Sequence, residues 1–417
     1  MTNSEKRQVV IIGGGILGLA CAYYLQRRGD VQVTVLEAGE FAASTTSQAA
    51  ALLTRARGDL NASLFVAETH DAIKRFERDR QESLMQRSGC WHLADGDYPR
   101  TTLALYRQLA QQQTSDIQPP LIRDKNVAEI SATFPWINIA ADASALEYQD
   151  DGYIDPYLLA IVYMQQAKLC GARFLANTRV KGLETKAGKI CAVRSTDETF
   201  ECDDVLLVAG PWSKAFAREY GVALAMATVR SHYWITDTQT AIQRDMPMLI
   251  DQVNGFYFRS ENGALLFGVR DSLGCYADAS QLPDDIHSLG FSQDPQGWAA
   301  LEENWQALIQ RCPLLEQAQL NHYIAGVSSY TPDGKPLLGK APGWQNFYVA
   351  SGCSGAGIAW SGGIGKAMAA AITQQPCELD IQPYRLDRFN QRDQDMDVFS
   401  DEFQQQCALA RSQKKTG

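Results

Sequence analysis

The residues that most clearly suggest chemistry form a glycine turn near the start of the chain. Gly13, Gly15 and Gly18 fit the spacing G-x-G-x-x-G and stand between an apolar strand pattern and a helical pattern. In this spacing the first glycine permits a tight turn, the second lets backbone N–H groups approach a pyrophosphate, and the third packs the helix against the strand. The turn predicts a dinucleotide site, with Ile16 and Leu17 as further contacts.

A carboxylate follows this turn at the position where a ribose is expected. Glu37 ends the second apolar strand, nineteen residues after Gly18, and can accept hydrogen bonds from both ribose hydroxyls. Because a carboxylate disfavours a 2'-phosphate, the pattern favours FAD or NAD over NADP. Ala38, the next residue, is a candidate for the same site.

Two further segments favour FAD over NAD, because a flavin needs hydrogen-bond donors for its ring as well as for its phosphates. One is a hydroxyl cluster after the second strand, although a solvated turn is the alternative interpretation. The other is a glycine loop over residues 352–357, before a helix expected over Ser361 to Thr373. A helix N-terminus aimed at the flavin would stabilise the negative charge that builds on reduction. The candidates in these two segments are Ser44, Thr45, Thr46, Ser47, Gly355, Ala356, Gly357 and Ile358.

The elements that must position these groups are those of an α/β chain. Strand patterns over Gln8–Ile12 and Gln32–Leu36 flank a helical pattern over Ile16–Arg28, which predicts a βαβ unit with parallel strands. The continuous apolar run Asp204–Gly210 is typical of a buried parallel strand that ends at a ligand. Further helices are expected over Leu60–Arg78, Thr101–Gln113, Tyr157–Cys170 and Gly297–Cys312, and strands of an antiparallel sheet over Ala227–Thr236, Gly255–Arg259 and Ala264–Val269.

Composition excludes several other classes of protein. The 417 residues are enough for two domains, and the net charge of -10, without a block of basic residues, argues against a nucleic-acid partner. Ten cysteines occur without a C-x-x-C pair, so neither a zinc site nor any other metal site is expected, and a reducing cytoplasm fits best. No window has the ~20 apolar residues of a membrane-spanning helix.

These motifs together resemble the D-amino-acid oxidase superfamily of flavoproteins, in particular its sarcosine oxidase, glycine oxidase and dimethylglycine dehydrogenase branch. The resemblance covers most of residues 8 to 375. It rests on the first glycine turn with Glu37, on the strand 205–210 continuing through Pro211, Trp212 and Ser213, on the segment 331–339 (TPDGKPLLG), and on the loop 352–357 (GCSGAG).

The resemblance implies a discontinuous Rossmann-type domain that binds FAD, and a second α+β substrate domain on a large mixed or antiparallel sheet. The expected boundaries are 1–60, 150–215 and 325–380 for the first domain and 61–149 and 216–324 for the second. The tail, 381–417, is expected to form a surface helix or to contact a partner. The resemblance also adds Val180, Ala209, Gly210, Trp212 and Gly339 to the expected FAD contacts.

The reaction that the resemblance implies is hydride transfer from a C–H beside nitrogen to flavin N5, after which the imine hydrolyses. Four positions depart from the relatives. The cysteine that attaches flavin in some sarcosine oxidases aligns with Gly326, so noncovalent FAD is expected. The arginine and lysine that bind the substrate carboxylate align with Ser328 and Ala359. A lysine used for oxygen activation aligns near Leu266, which slightly favours a dehydrogenase, with another electron acceptor, over an oxidase.

The substrate is expected to be a small amine or amino acid. Tyr257 resembles the family tyrosine that reaches toward substrate, and Arg55, Arg57 and Arg270 are the cations available to replace the missing anchors. An amine without a carboxylate is the alternative substrate. Two other functions also stay open, namely oxidation of a 2-hydroxy acid and a role as a flavin-bearing subunit of a larger electron-transfer complex.

Overall fold

The computed structural model of the chain describes residues 6–96, 100–113, 119–389 and 397–413. Parts of the tail 381–417, namely residues 390–396 and 414–417, therefore lie outside the described residues. The helices in chain order are α1 (Ile16–Gln26), α2 (Leu60–Arg80), α3 (Thr101–Gln112), α4 (Val127–Thr133), α5 (Pro156–Leu169), α6 (Ser213–Arg218), α7 (Trp298–Arg311), α8 (Gly357–Thr373) and α9 (Asp401–Gln413).

The strands belong to four sheets. They are β1 (Arg7–Ile12), β2 (Val31–Leu36), β3 (Leu52–Leu53), β4 (Met85–Gln86), β5 (Cys90–Ala94), β6 (Ile122–Lys125), β7 (Ser144–Tyr148), β8 (Gly152–Ile154), β9 (Arg173–Leu175), β10 (Val180–Lys186), β11 (Lys189–Ser195), β12 (Thr199–Glu201), β13 (Asp204–Leu207), β14 (Ala227–Thr238), β15 (Met248–Asp251), β16 (Phe256–Glu261), β17 (Ala264–Gly268), β18 (Tyr276–Ala277), β19 (Leu320–Tyr330), β20 (Leu337–Lys340) and β21 (Phe347–Ser351).

The first glycine turn belongs to a sheet whose described strands follow the order β20-β21-β13-β1-β2-β9. All neighbours are parallel except β20 and β21. Successive side chains of a strand point to opposite faces, and β1 is apolar on both. Val9 and Ile11 pack in one core with α1, α2, α5 and α8, whereas Val10 and Ile12 pack in another core with the small sheet β10-β11-β12. Burial on both faces explains why β1 is a continuous apolar run.

The largest described sheet has the order β18-β14-β17-β16-β15-β5-β7-β6, and β19 pairs with β14 beside it. Its pairs are antiparallel apart from β15 with β5. Aromatic side chains such as Trp234, Phe258 and Phe267 fill one face, together with Leu301 and Leu308 of α7. The fourth sheet, β3-β8-β4, is short.

The predicted α/β fold class, with a Rossmann-type sheet and a large mixed sheet, is confirmed. The division into two domains at the stated boundaries stays a prediction. The predicted helices differ from the structure by one or two residues at their ends, apart from α8, which begins at Gly357 rather than at Ser361. A glycine lowers the stability of a helix less in the first turn than in the interior, because the N–H groups of the first turn have no hydrogen-bond partner within the helix.

The C-terminal tail forms α9, which packs on β14 and β19. Phe403, Cys407 and Ala408 are buried there in one cluster with Ala227 and Tyr330. One face of this helix is therefore covered by the chain itself. Within the described ranges, no helix combines the length and the apolarity that crossing a membrane requires.

Candidate active site

A cavity of about 760 Å³ extends from the first glycine turn to the large sheet. Its lining includes Gly13 and Glu37 from the Rossmann-type sheet, Gly357 from the start of α8, and Tyr257 from β16. The sequence therefore brings segments more than three hundred residues apart to one cavity, at the carboxyl ends of β1, β2 and β13. This is the place where α/β sheets bind their ligands.

The glycine turn is shaped by close backbone approaches. Gly13 has φ +114°, and a Cβ on it would lie 2.6 Å from the carbonyl oxygen of Val208 at the end of β13. A Cβ on Gly18 would overlap the carbonyl oxygen of Gly13. Gly18 does not line the cavity, and its contact instead lets α1 approach the turn, as the third glycine of the motif is expected to do.

Glu37 is held at the cavity by backbone donors. Its Oε2 accepts a hydrogen bond from the N–H of Gly14 at 2.6 Å, and its Oε1 accepts one from the N–H of Gly39 at 2.9 Å. Each carboxylate oxygen can accept more than one hydrogen bond. The carboxylate is therefore fixed in position and keeps capacity for the hydroxyls of a ribose.

The hydroxyl cluster divides between local structure and the cavity. Thr46 Oγ1 accepts a hydrogen bond from the N–H of Ile16 at 3.1 Å, which ties the cluster to the start of α1. Thr45 Oγ1 is buried without a hydrogen-bond partner among the described residues, and Ser44, Thr45 and Thr46 all line the cavity. Ser47 does not, because its hydroxyl donates to the carbonyl oxygens of residues 43 and 44.

The start of α8 faces the cavity through the predicted glycine loop. Gly355 has φ +76°, and a Cβ on it would lie 2.5 Å from the hydroxyl of Tyr330, so glycine is required by both conformation and space. Ala356, the N-cap residue, offers no side chain to the first N–H groups of α8. These groups carry the positive end of the helix dipole, which favours an anion or an electron-rich ring at this place.

Most predicted cofactor residues lie on this cavity. Those that line it are Gly13, Gly15, Ile16, Leu17, Glu37, Ala38, Ser44, Thr45, Thr46, Val180, Ala209, Gly210, Trp212, Gly355, Ala356, Gly357 and Ile358. Gly18, Ser47 and Gly339 lie outside the lining. Gly339 has φ +124° and lies within β20, on the segment that supports the α8 loop.

Two glycines on facing strands make room for Tyr257 and Arg270. Tyr257 of β16 pairs with Gly268 of β17, and the tyrosine ring occupies the space that a Cβ on Gly268 would need. Continuing this antiparallel register places Gly255 opposite Arg270, and a Cβ on Gly255 would lie 2.7 Å from the guanidinium carbon of Arg270. Both side chains line the cavity, and burial raises the pKa of Tyr257, so its hydroxyl keeps its proton at neutral pH.

The other two predicted cations have different surroundings. Arg55 is fully buried and bonds to Asp150 and Asp151, at 3.2 and 3.4 Å, and it does not line the cavity. Arg57 does line it. Arg57 Nη1 donates to Thr54 Oγ1 at 2.9 Å, and burial lowers its pKa to about 10, so the side chain is still charged at neutral pH.

Sequence reasoning missed a charged cluster on the same cavity as Tyr257. Asp271 Oδ2 accepts hydrogen bonds from Arg230 Nη2 at 2.9 Å and from Arg411 Nη1 at 2.7 Å. His232 Nε2 lies 3.4 Å from the same oxygen, and burial, followed by the charges of Arg411 and Arg230, holds the pKa of His232 well below its usual range. The histidine is therefore neutral. Asp271, His232 and Arg411 line the cavity, and no motif in the sequence signals them.

Of the four positions that depart from the relatives, three line the same cavity. Gly326, Ser328 and Ala359 all line it. A Cβ on Gly326 would lie 2.8 Å from Gln48 Oε1, so a glutamine occupies the space where related sarcosine oxidases are expected to carry a cysteine. Leu266 is fully buried in β17 and lies outside the lining.

Comparisons with known proteins agree with this architecture. Human mitochondrial dimethylglycine dehydrogenase is 27% identical over 398 residues, which cover 92% of this chain and 45% of that protein. The 4-methylaminobutanoate oxidase (formaldehyde-forming) of Paenarthrobacter nicotinovorans is 25% identical, with 92% and 46% covered. The chain thus spans less than half the length of these relatives.

Solved structures show the same fold. L-proline dehydrogenase from P. horikoshii matches with a TM-score of 0.79 and 22% identity, over 93% of this chain and 98% of that chain. Glycine oxidase from Geobacillus kaustophilus matches with a TM-score of 0.70 and 20% identity, over 92% and 99%. The model of the family described as FAD dependent oxidoreductase (DAO) matches residues 8–371. The chain therefore belongs to the DAO family of FAD-dependent oxidoreductases.

Proposed function

We propose that the chain oxidises a C–N bond of a small amine or amino acid with FAD as its cofactor. The observation that carries the proposal is the cavity itself, which joins Glu37 and the first glycine turn to the start of α8 and to Tyr257 and Arg270. The names of the relatives support the choice of substrate, because they include a dimethylglycine dehydrogenase and a 4-methylaminobutanoate oxidase.

The residues on the cavity fit FAD. Glu37 would accept hydrogen bonds from the ribose hydroxyls, and the N–H groups of Gly15 and Leu17 at the start of α1 would bind the pyrophosphate. The N–H of Ile16 between them already donates to Thr46 Oγ1. The buried hydroxyl of Thr45, which has no hydrogen-bond partner among the described residues, is a donor of the kind that a bound ligand would satisfy. The start of α8 would lie against the flavin ring.

We further propose that FAD is held without a covalent bond to residue 326. A glycine at that position has no nucleophile, and Gln48 fills the neighbouring space. The cofactor would therefore be retained by the contacts of the cavity alone.

Bound FAD would supply a hydride acceptor for the carbon beside the substrate nitrogen, and water would then hydrolyse the resulting imine to a carbonyl compound and an amine. The contribution of the chain to this reaction is orientation. Tyr257 keeps its proton and can donate a hydrogen bond to the substrate. Arg270 and Arg57 offer positive charge on the same cavity.

Reoxidation of FAD requires an electron acceptor, which is either oxygen or another molecule. Leu266, where the oxygen-activating lysine of some relatives aligns, is buried away from the cavity. We therefore favour a dehydrogenase. The scattered cysteines favour the cytoplasm as its location, and a partner or a second copy of the chain stays a prediction.

The test begins with the absorbance spectrum of the purified protein and continues with acid precipitation. We expect a yellow protein that leaves its flavin in the supernatant, whereas a yellow pellet would contradict the noncovalent site and a colourless protein would contradict the proposal. Anaerobic mixing with a panel of amines, amino acids and 2-hydroxy acids follows. Bleaching of the flavin by amines supports the proposal, and bleaching by hydroxy acids alone rejects it in favour of 2-hydroxy acid oxidation.

A further inference from the structure

A segment that follows β18 forms part of the cavity wall. Residues 278–290, called the cover segment here, connect β18 toward α7 and include one turn of 3-10 helix over Ile286–Ser288. Asp284, Asp285 and Ile286 of this segment line the cavity. The cover segment therefore borders the space that is proposed to hold FAD.

An ion pair ties the cover segment to the chain beside Glu37. The N–H of Thr178 donates to the carbonyl oxygen of Glu37 at 2.7 Å, so the chain after β9 runs along this residue. The next residue, Arg179, places its Nη2 2.9 Å from Asp284 Oδ1. Thr178 and Arg179 both line the cavity. The ion pair therefore joins the two walls of the cavity near the carboxylate that is assigned to the ribose.

The cover segment is attached in a way that allows it to move. Ile286 is 4% exposed and packs in a small apolar cluster with Phe291 and Val327. Backbone hydrogen bonds within the segment are local, because the N–H groups of Gln281 and Ser288 donate to carbonyl oxygens three residues earlier. Local opening of such a segment costs less free energy than separating a strand from a sheet, since few contacts are broken.

We propose that the cover segment is a gate for the cofactor, which closes over the ribose side of bound FAD and must open for FAD to enter or leave. The Arg179–Asp284 ion pair holds the gate closed. The two side chains are 38% and 78% exposed, and an exposed ion pair contributes little to stability, so this one opens without unfolding the chain. The inference rests on the proposed noncovalent FAD with its ribose at Glu37, and it concerns retention of the cofactor rather than its reaction.

A gate and a direct contact with FAD have different kinetic signatures. The ion pair lies between two parts of the chain, so it closes the gate with or without FAD. Breaking it should speed uptake and release of FAD by the same factor and leave the affinity unchanged. If Arg179 instead bound FAD directly, its loss would speed release, leave uptake unchanged and weaken the affinity.

The test measures both rates by flavin fluorescence. Mixing FAD with apoprotein, made in cells deprived of riboflavin, gives the uptake rate, and strong dilution of the FAD-loaded protein gives the release rate. The variants are Arg179→Gln, Asp284→Asn and the two combined. Arg100→Gln is the matched control, because Arg100 forms another exposed ion pair, at 3.2 Å from Asp142, and neither residue lines the cavity.

Both rates should rise about twofold to fivefold in each single variant, which is the effect expected of an exposed ion pair. The combined variant should show no further rise, since either substitution already breaks the pair. The difference from the wild type should shrink in 1 M salt, which screens exposed charges. Arg100→Gln should keep the wild-type rates.

Three results would overturn the gate. They are wild-type rates in both single variants, faster release without faster uptake, and an equal acceleration in Arg100→Gln. A covalent flavin would reject only the noncovalent site, because the uptake rate of the apoprotein would still report on the gate. Failure of amines to bleach the flavin would reject the proposed reaction and leave these rates as they are.

Discussion

The closest backbone approach in the cofactor turn gives the sharpest test of the site, through the substitution Gly18→Ala. The added Cβ would meet the carbonyl oxygen of Gly13 well inside 3.0 Å, a distance below which real Cβ atoms essentially never lie. Neither atom belongs to a flexible side chain. Either α1 must shift away from β1, or the turn that carries Gly13 and Gly15 must change shape.

The added methyl group lowers either the stability of the apoprotein or its affinity for FAD, depending on how the backbone responds. Inserting a methyl group into a well-packed site costs about 1–3 kcal/mol, and we expect the upper part of that range, about 2–3 kcal/mol, because the obstacle is backbone. If the close contact persists whether or not FAD is bound, the apoprotein becomes less stable. If the turn instead changes shape to relieve the contact, the affinity for FAD falls, by tenfold for each ~1.4 kcal/mol. The two losses together should therefore reach about 2–3 kcal/mol.

The assay measures both parts. Apoprotein unfolding in denaturant gives the first, and quenching of flavin fluorescence on titration with apoprotein gives the second. Gly290→Ala is the control, because a Cβ on Gly290 would meet nothing within 4 Å and its φ is not positive. Wild-type values for Gly18→Ala in both measurements would refute the role given to this contact, and equal losses in the control would refute its specificity.

Three further substitutions probe other parts of the structure. Glu37→Gln should weaken FAD binding about tenfold, because hydrogen bonds to a charged group are worth about 1.5–3 kcal/mol and the amide keeps part of that value. Flavin fluorescence measures the affinity for FAD. An unchanged affinity would contradict the assignment of Glu37 to the ribose. Arg230→Met should lower the free energy of unfolding by about 3–5 kcal/mol, because it removes the guanidinium that pairs with the buried carboxylates of Asp271 and Asp294. Unfolding in denaturant measures this loss. A loss below about 1 kcal/mol would contradict the prediction. Lys214 donates to the carbonyl oxygen of Val398 at 2.5 Å, and burial lowers its pKa from 10.5 to about 8. The folded state releases this proton at a lower pH than the unfolded state does. The free energy of unfolding of the wild type, relative to that of Lys214→Met, should therefore rise between pH 8 and pH 10.5. A difference in unfolding free energy that does not change with pH would show that the pKa of Lys214 is not lowered.

The part of the cavity around the first glycine turn was predictable because its signals are local. The spacing of Gly13, Gly15 and Gly18 encodes a strand, a turn and a helix within twelve residues, and Glu37 ends the adjacent strand. The loop before α8 repeats this logic with Gly355, whose positive φ only glycine adopts cheaply. In each case the backbone conformation itself places the functional group, so no distant contact has to be known.

The part of the cavity lined by Tyr257 and the arginines was not predictable in the same way. Arg55 and Arg57 are two residues apart, yet one is enclosed by Asp150 and Asp151 whereas the other reaches the cavity. Nothing in the local sequence distinguishes them, because the distinction depends on carboxylates that lie about a hundred residues away. Arg411 is a stronger example, since its partner Asp271 is 140 residues distant and its position depends on how α9 packs against β14 and β19.

This contrast bears on how a substrate anchor can be replaced within a family. A pyrophosphate or a flavin ring is bound largely by backbone N–H groups, and these can be supplied only by a particular turn and a particular helix start. A carboxylate needs only a guanidinium at the right point in space, and any element that borders the cavity can supply one from a long side chain. Loss of cations at Ser328 and Ala359 therefore does not by itself imply a substrate without a carboxylate. In this chain Arg57 and Arg270 border the cavity from different segments, and either would give a physical route by which the same recognition moves to another element.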